Sequence, residues 1–300
     1  MRLARILFAL GALVAVPSVA FGDDSEAYYK QGMAFKQQGK NDDAIAALEK
    51  AVAANPKHGM AWASLGHLYK GKGDNAKAVS AYEKATAVIT KDKVLWSNLG
   101  MAYFRNKQVD QALKALETGK QLAPNDAEIR ANLGTIKRQK GDLPGAIADL
   151  EVATKNKPDE ANYWNNLGVA YRASKRDDDA LKAYKKAVEL SPNDSSFHFN
   201  LAVTYRRKEM VTEAITEYAR AVELDPSHAE AWFDLGFMYK TDHQNDKAID
   251  AFNKYLELNK GKDAAGEARI KDEVTGLGGK TEEKKPAPKK PAPKKPAPKK

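Results

Sequence analysis

The residues best suited to chemistry are a lysine among glycines, five histidines and short runs of carboxylates. In "GHLYKGKG" (66–73) the spacing approaches a loop that wraps phosphate groups. That chemistry needs a Ser or Thr directly after the lysine to hold a metal ion, and a strand leading into the loop. Gly73 stands in the hydroxyl position and no strand precedes it. The histidines His58, His67, His198, His228 and His243 offer imidazoles for metal binding. No two of them have the i, i+3 or i+4 spacing that places ligands on one helix face. The absence of cysteine excludes disulfides, thiolate metal sites and thiol nucleophiles. "RDDD" (176–179) reads as a helix N-cap followed by a favourable acidic first turn, not as an acid–base pair. The chain is therefore expected to be no enzyme, with no cofactor, no metal and no small-molecule substrate.

The elements around these residues are set by an internal repeat. "WASLGHLY" begins at 62, "WSNLGMAY" at 96, "WNNLGVAY" at 164 and "WFDLGFMY" at 232, all separated by multiples of 34. In the same register lie "YYKQGMAF" at 28, "RANLGTIK" at 130 and "HFNLAVTY" at 198. Seven units result: 25–58, 59–92, 93–126, 127–160, 161–194, 195–228 and 229–262. Each carries an alanine twelve residues after the glycine (or Ala202) and a large residue four further on, and most close on a proline. In the fifth unit Trp164, Leu167, Gly168 and Tyr171 share one helix face. Gly168, Ala180 and Ala187 let a second helix approach, "SKRDD" (174–178) makes the turn, and Pro192 ends the unit. Neither helix buries its stripe alone, so neighbouring units must stack.

This W-L-G-Y…A…F…A…P pattern resembles the tetratricopeptide repeat family over about four-fifths of the chain. The resemblance implies an all-α, right-handed α-solenoid of helix–turn–helix units, with the first helix of each lining a concave groove. Some positions depart from the pattern. The first unit has Tyr28 and Gln31 for Trp and Leu, as expected of an end repeat. The fourth has Arg130 and Lys137 in both aromatic positions, so its packing is expected to be the loosest. Ile270, Val274 and Leu277 predict a capping helix within 263–279, ending in a glycine-rich exit.

The two ends differ from the repeats. Arg2 and Arg5, the apolar run "ILFALGALVAV" and the small residues before Asp23 predict a secretory signal peptide over 1–22. With no cysteine to carry a lipid, the mature chain is expected to be periplasmic or secreted. Residues 280–300 are expected to be a disordered, polyproline-II-like Lys/Pro/Ala tail reaching about 50 Å. Its last twenty residues hold eight lysines and two glutamates; with Arg2 and Arg5 these account for all but one of the +9 formal charge. The repeat body is nearly neutral, and nucleic acid is not an expected partner.

If the Trp–Leu–Gly–Tyr stripe is scaffold, specificity belongs to the other face of the first helices. Unit position 6 is asparagine in four consecutive units, Asn98, Asn132, Asn166 and Asn200. An amide ladder can bond both edges of an extended peptide backbone, although asparagine is also a common residue at this position in the family. Met101, Val169, Val203 and Phe237 at position 9, with Phe199 and Phe233 at position 5, are apolar off the core stripe. They either pack adjacent first helices together or floor a groove for a partner. Position 12 is basic in six of seven units, including Arg138, Arg172, Arg206 and Lys240. That row is either solvated surface or a receptor for an acidic segment. The family's carboxylate-clamp lysine is absent from position 5. The expected function is a protein–protein scaffold holding a peptide or helix of another envelope protein, in a pilus, secretin, secretion or motility assembly. The alternative is an attachment protein whose tail binds anionic envelope polymers.

Overall fold

The computed structural model describes residues 21–280, with side chains from residue 24 onward. The expected signal peptide as far as residue 20, and the expected tail from 281, lie outside the described residues. Every element among the described residues is a helix. The first three repeats are formed by α1 (Phe21–Gln37) and α2 (Asn41–Ala54), α3 (Gly59–Gly71) and α4 (Asn75–Val88), and α5 (Lys93–Arg105) and α6 (Val109–Leu122). Then follow α7 (Ala127–Gln139), α8 (Leu143–Asn156), α9 (Ala161–Ala173), α10 (Asp177–Leu190), α11 (Ser195–Arg207) and α12 (Val211–Leu224). The last elements are α13 (Ala229–Thr241), α14 (Asn245–Asn259) and α15 (Ala264–Gly276). The chain divides between Pro124 and Asn125 into two compact units, so α1–α6 and α7–α15 are described separately. The fold class is an all-α solenoid of helical repeats.

In both units each first helix packs most closely on its own second helix, and each second helix on the next first helix. The close approach depends on the repeated glycine. A Cβ on Gly168 would stand 2.7 Å from the Tyr184 ring, and one on Gly134 would stand 2.5 Å from Leu150 and 2.9 Å from the Ala146 carbonyl. The facing side chains, among them Leu48, Leu116, Leu150, Tyr184, Tyr218 and Phe252, are completely buried. Each apolar side chain so buried contributes about 2 kcal/mol. Between the two helices of every repeat one residue takes positive φ at the same register. It is glycine at 39, 73 and 141, but Lys107, Lys175, Glu209 and His243 elsewhere. The N-cap of α10 is Arg176, without a side-chain capping bond, and the three aspartates fill the first turn. Asp177 pairs with Arg207 (3.0 Å) and Asp178 with Lys208 (2.5 Å) of the following repeat.

Polar bonds stitch successive repeats together. In the α1–α6 unit, Trp62 and Trp96 donate from the indole nitrogen to the carbonyls of Pro56 and Thr90, each six residues back. Tyr69 and Tyr103 donate to Glu49 and Glu83 of the preceding repeat. The α7–α15 unit repeats the pattern, with Trp164 to Pro158, Trp232 to Pro226 and Tyr171 to Glu151. Burial and the facing carboxylate push these tyrosine hydroxyls up, Tyr103 to about 12.

The fourth repeat is not loosely held at its two departures. Arg130 and Lys137 both grip Asp149, each at 2.6 Å, and Asp149 is only 2% exposed. Asp149 stands where five other repeats have alanine. The sixth repeat solves the same problem in the same place. His198, in the Trp position, donates from Nε2 to the Pro192 carbonyl and bonds Glu217 at 2.6 Å through Nδ1. An imidazole that donates at both nitrogens is the charged form. A cation in the tryptophan position is thus accompanied by an acid in place of that alanine.

At the C-terminal end α15 buries Ile270 and Val274 against Phe252, with Phe233 and Phe237 packed beside them. Asp263 caps α15 by accepting from Gly266 N.

Candidate partner-binding face

Within the α7–α15 unit the first helices α7, α9 and α11 lie side by side, which puts positions 5, 6, 9 and 12 of successive repeats on one face. The apolar members of the predicted set mostly serve packing. Val169, Val203 and Phe199 are partly buried against the core. Phe199 also meets Tyr218 and His228 edge-on, at 5.8 and 4.6 Å between centroids. Phe233 and Phe237 contact each other and lie under the capping helix. In the α1–α6 unit Met101 is half-buried.

The polar members divide more sharply. Position 12 of one repeat faces position 6 of the next. Lys70 reaches Asn98 (3.4 Å), Arg172 reaches Asn200 (3.3 Å) and Arg206 pairs with Asp234 (2.9 Å). Lys240 pairs at 2.5 Å with Glu273 of α15. Two cations of the expected basic row are therefore neutralised by the chain's own carboxylates. Asn200 is also spoken for, since its amide donates to Asn165 (3.0 Å). Asn132 and Asn166 are half-buried and make no side-chain hydrogen bond among the described residues. Arg138, also half-buried, likewise has no hydrogen-bond or ion-pair partner among them.

Beneath this row lies a layer that sequence reasoning missed. Tyr218 is fully buried and donates to Asp234 (2.9 Å), which is 4% exposed and also holds Arg206. Burial raises the Asp234 carboxyl, while Arg206 and the Tyr218 hydroxyl pull it back toward the ionised form. Tyr184 occupies the same register one repeat earlier, below Arg172, whose guanidinium lies 5.6 Å from its ring centroid. The signal was present in the sequence, because the asparagine series ends in aspartate at 234. In the α1–α6 unit His67 is held below the ordinary histidine range by burial and by the charges of Lys36 and Lys70.

Among the described residues no cluster of three or more His, Asp or Glu is arranged to hold a metal, and no helix is long and apolar enough to cross a membrane. A family model described as the cilia and flagella-associated protein 70 C-terminal domain matches residues 4–231, and a tetratricopeptide repeat model matches 217–250. The chain belongs to the tetratricopeptide repeat family. No curated protein sequence matches it. Among solved structures, the tetratricopeptide array is similar to the MamA protein at 26% identity, with 57% of this chain and 93% of that chain covered and a TM-score of 0.54. YrrB, a TPR protein with an unusual peptide-binding site, is similar at 22% identity, with 65% and 100% covered and a TM-score of 0.56. A tetratricopeptide repeat protein from Parabacteroides merdae shares the fold at 17% identity, with 85% and 99% covered and a TM-score of 0.62. Such arrays are protein-interaction scaffolds, typically without catalysis, and this tetratricopeptide chain is a scaffold of that kind.

Proposed function

We propose that this chain is a non-enzymatic scaffold exported to the periplasm, where its first-helix face holds a peptide or helix of another envelope protein. The observation carrying this reading is the row of half-buried polar groups, Asn132, Arg138 and Asn166, that the chain leaves without partners of its own. Polar groups held on rigid helices recognise an extended backbone at little conformational cost. YrrB, a fold neighbour, is described as having a peptide-binding site, which supports assigning the same kind of ligand here. The leader composition supports export, and an assembly of pilus, secretin, secretion or motility type is the setting we assign.

The test is capture of envelope proteins by the wild-type chain and by a folded Asn166→Ala, Arg172→Glu double variant. Equal recovery by both removes the face as the binding site. Sequencing of the mature N-terminus should read Asp23; an intact Met1 refutes export.

A second reading rests on the concentration of positive charge in 281–300, which suits salt-sensitive attachment to anionic envelope polymers. Deleting 281–300 should then release the protein from envelope fractions. Association that ignores both the deletion and salt excludes this role.

A further inference from the structure

The chain contains its own reference for a filled site. In the sixth repeat Arg206 and Tyr218 converge on one carboxylate, Asp234, which is supplied by the following first helix. In the fifth repeat Arg172 and Tyr184 stand in the same register, but the following helix supplies Asn200. An amide oxygen takes one bond from Arg172 and leaves the rest unmet. Arg172 Nη1 and the Tyr184 hydroxyl are both buried and neither has a hydrogen-bond partner. Burial pushes the Tyr184 hydroxyl up to about 12 while the charges of Arg172 and Arg138 oppose the shift, and the Arg172 guanidinium lies 5.6 Å from the Tyr184 ring centroid. No carboxylate among the described residues pairs with either arginine.

Buried donors without an acceptor are costly, and a guanidinium with no counter-charge in a half-buried setting favours an incoming anion. The neighbouring free amide of Asn166 suits a peptide backbone. Those requirements match a carboxylate on an extended chain.

We propose that the first-helix face of the fourth and fifth repeats is a receptor for an acidic peptide segment, whose side-chain carboxylate, approaching beside Asn200, supplies to Arg172 the counter-charge that Asp234 supplies to Arg206. The inference rests on the proposed function above and names the chemistry of the partner. It also places recognition in repeats whose position-12 cations remain uncompensated, rather than in the sixth and seventh, where Asp234 and Glu273 have already closed the row.

The decisive variant is Asn200→Asp, which gives the fifth repeat the internal carboxylate of the sixth. The probe is the peptide acetyl-(Gly-Glu)4-amide, with acetyl-(Gly-Gln)4-amide as the neutral control, titrated into the full chain. Nitrogen NMR of the arginine side chains reports on the site and separates it from binding to the lysine tail. The acidic peptide should shift the Arg172 and Arg138 signals and the neutral one should not. Asn200→Asp and Arg172→Gln should each weaken that response about tenfold, with folding checked by circular dichroism. The proposal is overturned if folded Asn200→Asp binds like wild type, if only tail lysines respond, or if the neutral peptide binds equally. Envelope-protein capture that depends on Asn166 but survives Asn200→Asp would remove the carboxylate receptor and leave the scaffold reading standing.

Discussion

Asp149→Ala installs in the fourth repeat the residue that Ala47, Ala81, Ala115, Ala183 and Ala251 provide at the same register. A consensus argument predicts a gain in stability, and the structure predicts the opposite. The Asp149 side chain is 3% exposed, and Arg130 and Lys137 keep only 20% and 18% of theirs. Removing one member of a buried ion pair costs about 3–5 kcal/mol, because the remaining charge stays desolvated. Here the two cations retain a path to water, which places the loss near the lower end. The better helix propensity of alanine returns about 0.5 kcal/mol. The net expectation is a loss of about 2–3 kcal/mol, equivalent to a fall of about 5–10 °C in Tm for a unit of this size. Asp149→Asn, which keeps an acceptor but not the charge, should lose about half as much. Thermal circular dichroism gives the size of the effect, and amide exchange shows whether it is confined to α7 and α8. A Tm for Asp149→Ala equal to or above wild type refutes the reasoning.

Other perturbations have equally definite signs. His198 is raised above its ordinary value chiefly by its bond to Glu217, so its contribution is fully present below pH about 6.5 and is lost as pH rises through the higher folded value. Urea midpoints from pH 6 upward should therefore fall, and Glu217→Gln should flatten that slope. Gly134→Ala should destabilise by about 1–3 kcal/mol, since its Cβ meets both the buried Leu150 and a backbone carbonyl. Gly168→Ala should cost less on chemical denaturation, because Ala202 already holds that position opposite Tyr218 in the sixth repeat. Lys107→Gly, Lys175→Gly and Glu209→Gly should each raise the melting temperature, relieving about 0.5–1 kcal/mol of left-handed backbone strain. A fall in Tm for all three would contradict that account.

The repeat phase, the helix pairing and the scaffold role of residues such as Trp164 and Gly168 were legible, because a 34-residue period imposes itself on every unit alike. Compensations confined to single units were not. Asp149 and Glu217 each appear in one repeat only, and their purpose emerges when the cation opposite is seen. The basic row at position 12 was legible as charge, but its neutralisation was not. The 28-residue spacing that joins Arg206 to Asp234 becomes meaningful only when the first helices are seen side by side, and the partner of Lys240 lies in the capping helix outside the repeat. Phe233 and Phe237 looked available for a partner for the same reason, since what covers them is a helix outside the repeat.

The stitching of tyrosine to glutamate lapses in the last two repeats: before Tyr205 the register holds Lys185, whose ammonium lies over the ring instead, and before Tyr239 it holds nothing polar. Where Glu49, Glu83 and Glu151 serve the tyrosines of the next repeat, the register before Tyr239 holds Ala219. A surface cavity of about 360 Å³ opens there, lined by Ala219, Val222, Trp232, Leu235, Tyr239 and Ala251. The Tyr239 hydroxyl bonds to nothing among the described residues. A void between two helices forfeits packing on its walls, so the α12–α13 junction should open more readily than the α8–α9 junction, which the Tyr171–Glu151 bond holds. Opening at this seam would free the last repeat from the α7–α12 helices. Ala219→Glu is the substitution that would move the seam elsewhere.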